Sequence, residues 1–495
     1  NIGRVLQQIA ADAETKAKFF TGKDKNYVIS GDNDSKTLSI EYVGTEHVHA
    51  ANGTQDGEKV YYKALTQSMV TNNYNGRMPT TGNYYLAENI TVTAQSSNTG
   101  DINLCFNGHT VSIVGKNQTS DRIYMFGNMT ADGMDKKGAT SANVNFCDCK
   151  GSGGMKKTDS SSDEKGSMLL VQGKHKVTLN IYGGTYDASG VSSTESGNLL
   201  WVYGPESKKE NDAAVVNIYD GHLIGGSSKG KTGGTIYGDA KLVTLNILGG
   251  TIEGGSAKSG GNIGGYATLN IKDATIKNGS AEIGGNIYLA GSETVKIENA
   301  VITGGEAEKG GNIYIAGKNI TFTAKDSEIT DGLATTDNGV KGTCGDNIYV
   351  ENLAITLEGD MVLDGVDNDK TDIYLEQDSA IVKLSNLSDD TKMSIYFNHL
   401  GNIVKGGAKH WDNIVLISNQ TAVISGSDIV VSDHIHCICG RSDESEETIG
   451  DHENHSATVF APLTQSAVTD SYGGAMPLSG SWYLIEDITL TKQAA

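Results

Sequence analysis

Two histidines and two cysteines held close together supply the four nitrogen and sulfur donors that a tetrahedral zinc ion takes. The chain concentrates such residues at His434-Ile-His436-Cys437-Ile-Cys439-Gly440, followed by His452-Glu-Asn-His455. Four of its 11 histidines fall in those 22 residues. Cys437, Cys439, His452 and His455 form two pairs joined by a 12-residue spacer, and this quartet is the expected zinc site. A structural zinc contributes roughly 10–16 kcal/mol of apparent binding energy in a small peptide, enough to order a segment with little core. A related earlier stretch, Glu46-His-Val-His49, has Ala50 and Asn52 where the later one has cysteines, and is expected to be metal-free. Cys105, Cys147 and Cys149 lie in or beside β-branched runs and read as small buried hydrophobes.

Catalytic sets are harder to find. A β-helical polysaccharide lyase needs an arginine or lysine base beside an acidic cluster. The only arginines are Arg4, Arg77, Arg122 and Arg441, none of them between 123 and 440. A glycoside hydrolase needs converging carboxylates. Asp220, Glu253, Asp273, Asp326 and Asp331 all sit at turns, where turn preference accounts for them. The Gly-Gly turns are not followed by Gly-Lys-Ser/Thr, so they are not phosphate loops. No enzymatic activity is expected.

The elements that carry these residues are written as repeats. Thr178-Leu-Asn-Ile181 returns as Val215-Val-Asn-Ile218, Thr244-Leu-Asn-Ile247 and Thr268-Leu-Asn-Ile271, with weaker copies from Thr294, Thr321 and Ala354, at spacings of 24 to 37 residues. A second element is Thr251-Ile-Glu-Gly-Gly-Ser-Ala257 and its copies. A third is Gly261-Asn-Ile263, Gly285-Asn-Ile-Tyr288, Gly311-Asn-Ile-Tyr314 and Asp346-Asn-Ile-Tyr349. Each is a short alternating β-branched run closed by Gly, Asn or Asp. Three short strands per ~25 residues bury their apolar faces only by stacking repeat on repeat. This predicts an all-β, right-handed parallel β-helix with Ile263, Ile287, Ile313 and Ile348 in one inward column. Tyr237, Tyr288, Tyr314, Tyr349 and Tyr374 follow the inward positions. They should form an outward ladder, either purely structural or a weak platform for sugar rings. Stretches 151–166, 205–212 and 335–345 read as exposed loops.

Composition agrees with that architecture. There are 63 Gly but only 4 Pro, which suits a chain that turns often and keeps its N–H groups for sheet bonding. The net charge of −21 argues against nucleic acid and anionic membranes as partners. No apolar run approaches the ~18 residues needed to span a bilayer, so membrane insertion is not expected.

A longer repeat lies over the short one. Ala64-Leu-Thr-Gln-Ser through Tyr85-Leu86 matches Pro462-Leu-Thr-Gln-Ser through Tyr483-Leu484 at a constant offset of 398 residues. His47 and His49 match His434 and His436 at an offset of 387. The expected organisation is the tail of a preceding unit (1–43), a degenerate junction (44–63), a parallel β-helix unit (64–430), a His/Cys junction module (431–462) and the opening of a next unit (463–495). A tandem array cut from a longer chain is the expectation.

Several of these motifs together resemble a known group. They are the Tyr-Tyr-Leu opening strand, Asn103-Leu-Cys-Phe-Asn-Gly-His-Thr110, Asp148-Cys-Lys-Gly-Ser-Gly153, the Gly-Gly-Asn-Ile coils and His434 to Gly440. Most of the chain from 46 to 495 resembles large repetitive β-helical cell-surface or secreted proteins of anaerobic Gram-positive bacteria, adhesin-like and without lyase motifs. Ala50 and Asn52 depart from the pattern. The resemblance implies an extracellular, non-enzymatic rod, stalk or filament. Its partners would be neighbouring repeats, copies of itself or surface glycans. A carbohydrate-active β-helix enzyme and a glycan-binding module are the alternatives.

Overall fold

A computed structural model describes residues 27–32, 37–42, 47–94, 96, 100–114, 142–158, 166–172, 177–203, 214–239, 242–291, 294–335, 344–364, 371–397, 399–418, 422–431, 435–437, 457–484 and 487–493. The protein is all-β, with large and mostly parallel sheets of stacked short strands, consistent with a β-solenoid. Two compact units are distinguished, 1–258 with 262–275, and 259–261 with 276–495.

In the first unit Ile102–Cys105, Ala142–Cys147, Val177–Asp187, Ala214–Ile224, Val243–Ile247 and Thr268–Lys272 follow one another as parallel neighbours. Alternation decides which side faces in. Leu104, Phe146, Ile181, Ile218, Ile247 and Ile271 lie in one register and are all buried. Each such burial contributes roughly 1.5–3 kcal/mol. A second column stacks Leu169, Leu200, Ile236 and Ile263, again buried. Between the inward positions runs a row of amides. Asn103 donates to Asn83, Asn145 to Asn103, Asn180 to Asn145, Asn217 to Asn180, Asn246 to Asn217 and Asn270 to Asn246, at 2.7–2.8 Å. An amide is both donor and acceptor, so identical residues can chain without limit.

In the second unit Ile287, Ile313, Ile348, Ile373 and Ile395 stack in parallel register and are fully buried. The four isoleucines expected to face inward are all buried, with the register shown within each unit. A second amide row is deeper. Asn286 Nδ2 donates to Asn312 Oδ1 and Asn312 Nδ2 to Asn347 Oδ1, both at 2.7 Å, and Asn347 Nδ2 to Asp372 Oδ1 at 2.9 Å. The last member explains its own identity. Asp372 accepts from the Asp364 and Ser394 backbone N–H groups at 3.0 and 2.8 Å and from the Ser394 hydroxyl at 3.0 Å. A position ringed by donors wants acceptors only, hence Asp rather than a fourth Asn. Beyond it, Gly401–Lys405, Ala422–Ser425 and Asp428–Val431 pair antiparallel, a change from the parallel order before them.

Burial pushes the Asp372 carboxyl up to about 6, against the hydrogen bonds from Ser394 and Asn347 that pull it down. Below its ordinary value near 3.9 the group is neutral folded or unfolded. As pH rises from there through about 6 the folded state increasingly carries a desolvated charge, so this group's contribution falls by about 3 kcal/mol. Unfolding midpoints of the protein and of Asp372→Asn, measured from pH 4 to pH 7, should therefore converge or cross as pH rises. Parallel curves would show that the carboxyl is not perturbed. Loss of an acceptor for the Ser394 N–H adds only a pH-independent offset to the variant.

One expected loop is partly a strand. Within 151–166, Gly154–Lys157 pairs in parallel with Thr110–Ile113 and with Val177–Asp187. Polar composition suggested a loop, but a Cβ on Gly154 would sit 1.8 Å from the Thr185 carbonyl, so glycine here serves close strand approach. Residues 205–212 and most of 335–345 lie outside the described residues.

Candidate metal centre

Val48–His49 and Val60–Tyr61 form a short antiparallel hairpin. Its loop folds over the stacked strands that carry Cys105 and Cys147. Gly53, at φ +85°, has room for a Cβ only 3.2 Å from Cys147 Cβ, so the loop seats on that thiol residue. Below it, Tyr62, Cys105 and Cys147 form a buried cluster with Tyr85 and Tyr182 against it. Cys105 and Cys147 are register partners on adjacent parallel strands. Cys149 follows Cys147 two residues on, in the exposed turn.

The hairpin's two imidazoles meet two of these thiols. The donor atoms of His47, His49, Cys105 and Cys149 all lie within 4.8 Å of one another. His47 Nε2 is 3.0 Å from His49 Nε2 and 3.8 Å from Cys149 Sγ, and Cys149 Sγ is 3.4 Å from Cys105 Sγ. Donors around a tetrahedral zinc, with bonds near 2.0 Å to nitrogen and 2.3 Å to sulfur, are separated by roughly 3.3–3.8 Å. The second shell is suited to ligation as well. His49 Nδ1–H donates to the Ala50 carbonyl at 2.6 Å, which makes Nε2 the unprotonated nitrogen; without an ion it accepts from His47 Nε2–H, and an ion would take its place. His47 is stacked on Tyr85 at 4.4 Å, and His49 packs against Tyr62 at 4.4 Å, so both rings are oriented by packing.

Without a cation the thiols resist ionisation. The Cys105 thiol is pushed up to about 12, first by its hydrogen bond with Cys147 and then by burial. Cys149 is raised first by its hydrogen bond with Cys105 and then by burial. Tyr62 is raised far above its ordinary value, chiefly by burial. A bound cation reverses that sign and takes a coordinating thiol as thiolate. This His/Cys cluster could hold a metal ion, and four protein donors would complete a tetrahedron, the arrangement of a structural rather than a catalytic site.

Ala50 and Asn52 in place of cysteines are the ground for expecting a metal-free earlier junction, but its histidines do not lack thiols: Cys105 and Cys149, 56 and 100 residues beyond His49, stand with them in a cluster that could hold an ion. Of the three cysteines expected to be small buried hydrophobes, Cys105 and Cys147 are buried, whereas Cys149 is exposed, and Cys105 and Cys149 face the imidazoles. The expected quartet of Cys437, Cys439, His452 and His455 lies outside the described side chains. Ile435–Cys437 does pair antiparallel with Ala457–Val459, and Ile435 opposes Val459 as Val48 opposes Tyr61. The signal available in the sequence was the His-x-His pair itself, present at both junctions.

The tyrosines stack as expected in the second unit, where Tyr288, Tyr314, Tyr349, Tyr374 and Tyr396 stand 5.9, 4.8, 4.7 and 5.2 Å apart. Tyr314 and Tyr349 are buried, and stacking turns the faces of these rings toward one another rather than toward solvent. Tyr237, in the first unit, is tilted against Trp201 at 6.3 Å and donates to Asp239. Comparison of the sequence with protein-family models, with curated proteins and with solved structures gives no match.

Proposed function

We propose that the chain is a non-enzymatic structural or adhesive component of an extracellular surface. In this reading it is a right-handed parallel β-helix in tandem units of about 398 residues, divided as the repeats suggest, and it serves as a rod, stalk or filament. Zinc is the proposed ion at His47, His49, Cys105 and Cys149, because two thiolates and two imidazoles in a closed tetrahedron suit it better than a hard cation. The ion would tie the 47–62 hairpin to the coils carrying Cys105 and Cys149.

One observation carries the structural reading: the side chains that recur coil after coil are spent on their own counterparts. The amides of the first unit bond to one another, and those of the second to one another and to Asp372. Such rows stiffen a stack by joining equivalent side chains of successive strands. Their stacked tyrosine faces favour the structural use of that ladder over a sugar platform. The test is incubation with pectins, alginates and glycosaminoglycans beside electron microscopy of the intact protein. Elongated particles without product release are expected. Product release that disappears on substitution of one carboxylate or lysine would overturn the reading in favour of a carbohydrate-active enzyme.

A further inference from the structure

The metal reading leaves one thiol of the cluster unused and places the two it uses 3.4 Å apart. We propose that Cys105 and Cys149 are a thiol–disulfide couple in competition with the ion, so that oxidation by a small-molecule disulfide unclips the hairpin. This rests on the zinc reading of the site. Its chemistry follows from exposure. Cys149 is exposed and Cys105 is buried beneath it. The Cys149 thiolate attacks an incoming disulfide RSSR, forms a mixed disulfide and expels one RS⁻. The Cys105 thiolate then attacks Cys149 Sγ, closes the intramolecular disulfide and expels the second RS⁻. The two cysteine sulfurs lose two electrons, the two RS sulfurs gain them, and the ion leaves because a disulfide offers no thiolate.

The consequence is directional. The ion links the hairpin, through His47 and His49, to the coils, through Cys105 and Cys149. A Cys105–Cys149 disulfide links coil to coil only. Oxidation therefore frees the hairpin while leaving the stack covalently reinforced. Cys147 is the competing partner, since it opposes Cys105 across the parallel ladder. It is fully buried under Gly53, out of reach of a first attack by solvent-borne disulfide.

The experiment uses the full chain loaded with zinc and treated with oxidised glutathione. Metal release is followed with a chromogenic chelator, disulfides by peptide mass spectrometry, and the hairpin by amide exchange over 47–62. About one ion released per Cys105–Cys149 disulfide, faster exchange in the hairpin, and reversal by a dithiol with added zinc are expected. Cys147→Ser should behave like the unaltered protein. Cys105→Ser should stop at glutathionylated Cys149. A Cys105–Cys147 disulfide as the main product, or no Cys105–Cys149 disulfide in the treated zinc-loaded protein, would overturn the proposal and leave the zinc reading standing. Zinc retained in full after the Cys105–Cys149 disulfide has formed would overturn both. Untreated protein that takes up no zinc at His47 and His49 would overturn the zinc reading itself, and this inference with it.

Discussion

Replacing Cys105 and Cys149 together by serine should lower the zinc content of the intact protein by about one ion per chain. The Cys437→Ser, Cys439→Ser variant should keep that ion. In the zinc-loaded protein the same double replacement should cost the amino-terminal unit about 4 kcal/mol when free zinc stands a thousandfold above its dissociation constant, because an ion that binds only the folded state stabilises by mass action. Chelation should reproduce that loss in the unaltered protein and have no further effect on the variant. Affinity should weaken toward pH 5, where protons compete for thiolate and imidazole. Metal analysis and chelator-dependent unfolding check this. Equal zinc in the unaltered protein and the Cys105/Cys149 variant would remove the site.

The second large effect is expected at Asn312. Its side chain is fully buried. It accepts from Gly305 N–H at 3.0 Å and from Asn286 at 2.7 Å, and donates to the Thr330 carbonyl at 2.8 Å and to Asn347 at 2.7 Å. Alanine would remove all four bonds and leave a buried void. At roughly 1–3 kcal/mol for each buried group left unsatisfied, with some relief from remaining partners, Asn312→Ala should cost about 4 kcal/mol. Asn217→Ala in the other unit removes a half-buried amide bonded at 2.8 Å to Asn180 and Asn246, whose freed groups can reach water. It should cost about 1 kcal/mol. Denaturant unfolding of the two variants checks the contrast. Equal losses would mean that the buried row contributes no more than the surface one.

Much of this was legible in the residues. A recurring Thr-Leu-Asn-Ile unit states strand, alternation and stacking at once, because side chains alternate across a strand and equivalent positions must meet when repeats stack. The inward fate of Ile263, Ile287, Ile313 and Ile348 and the stacking of the second unit's tyrosines followed from that alone. Gly154–Lys157 did not, since its serine- and glycine-rich surroundings look like a loop, and only the 1.8 Å approach of the Thr185 carbonyl shows why glycine stands there.

The metal centre divides the two kinds of information most sharply. The sequence by itself determined the donors: two histidines one residue apart, and cysteines on strands of a stacking repeat. It ranked sites by nearness along the chain, and so favoured Cys437, Cys439, His452 and His455. Parallel stacking brings residues far apart in the chain to neighbouring-strand distance, which is how Cys105 comes to lie beside Cys147 and within 3.4 Å of Cys149. Only the tertiary structure decided that the 47–62 hairpin folds back over that spot, because the seat of Gly53 on Cys147 and the packing of His49 on Tyr62 and of His47 on Tyr85 are contacts between segments that no local pattern relates.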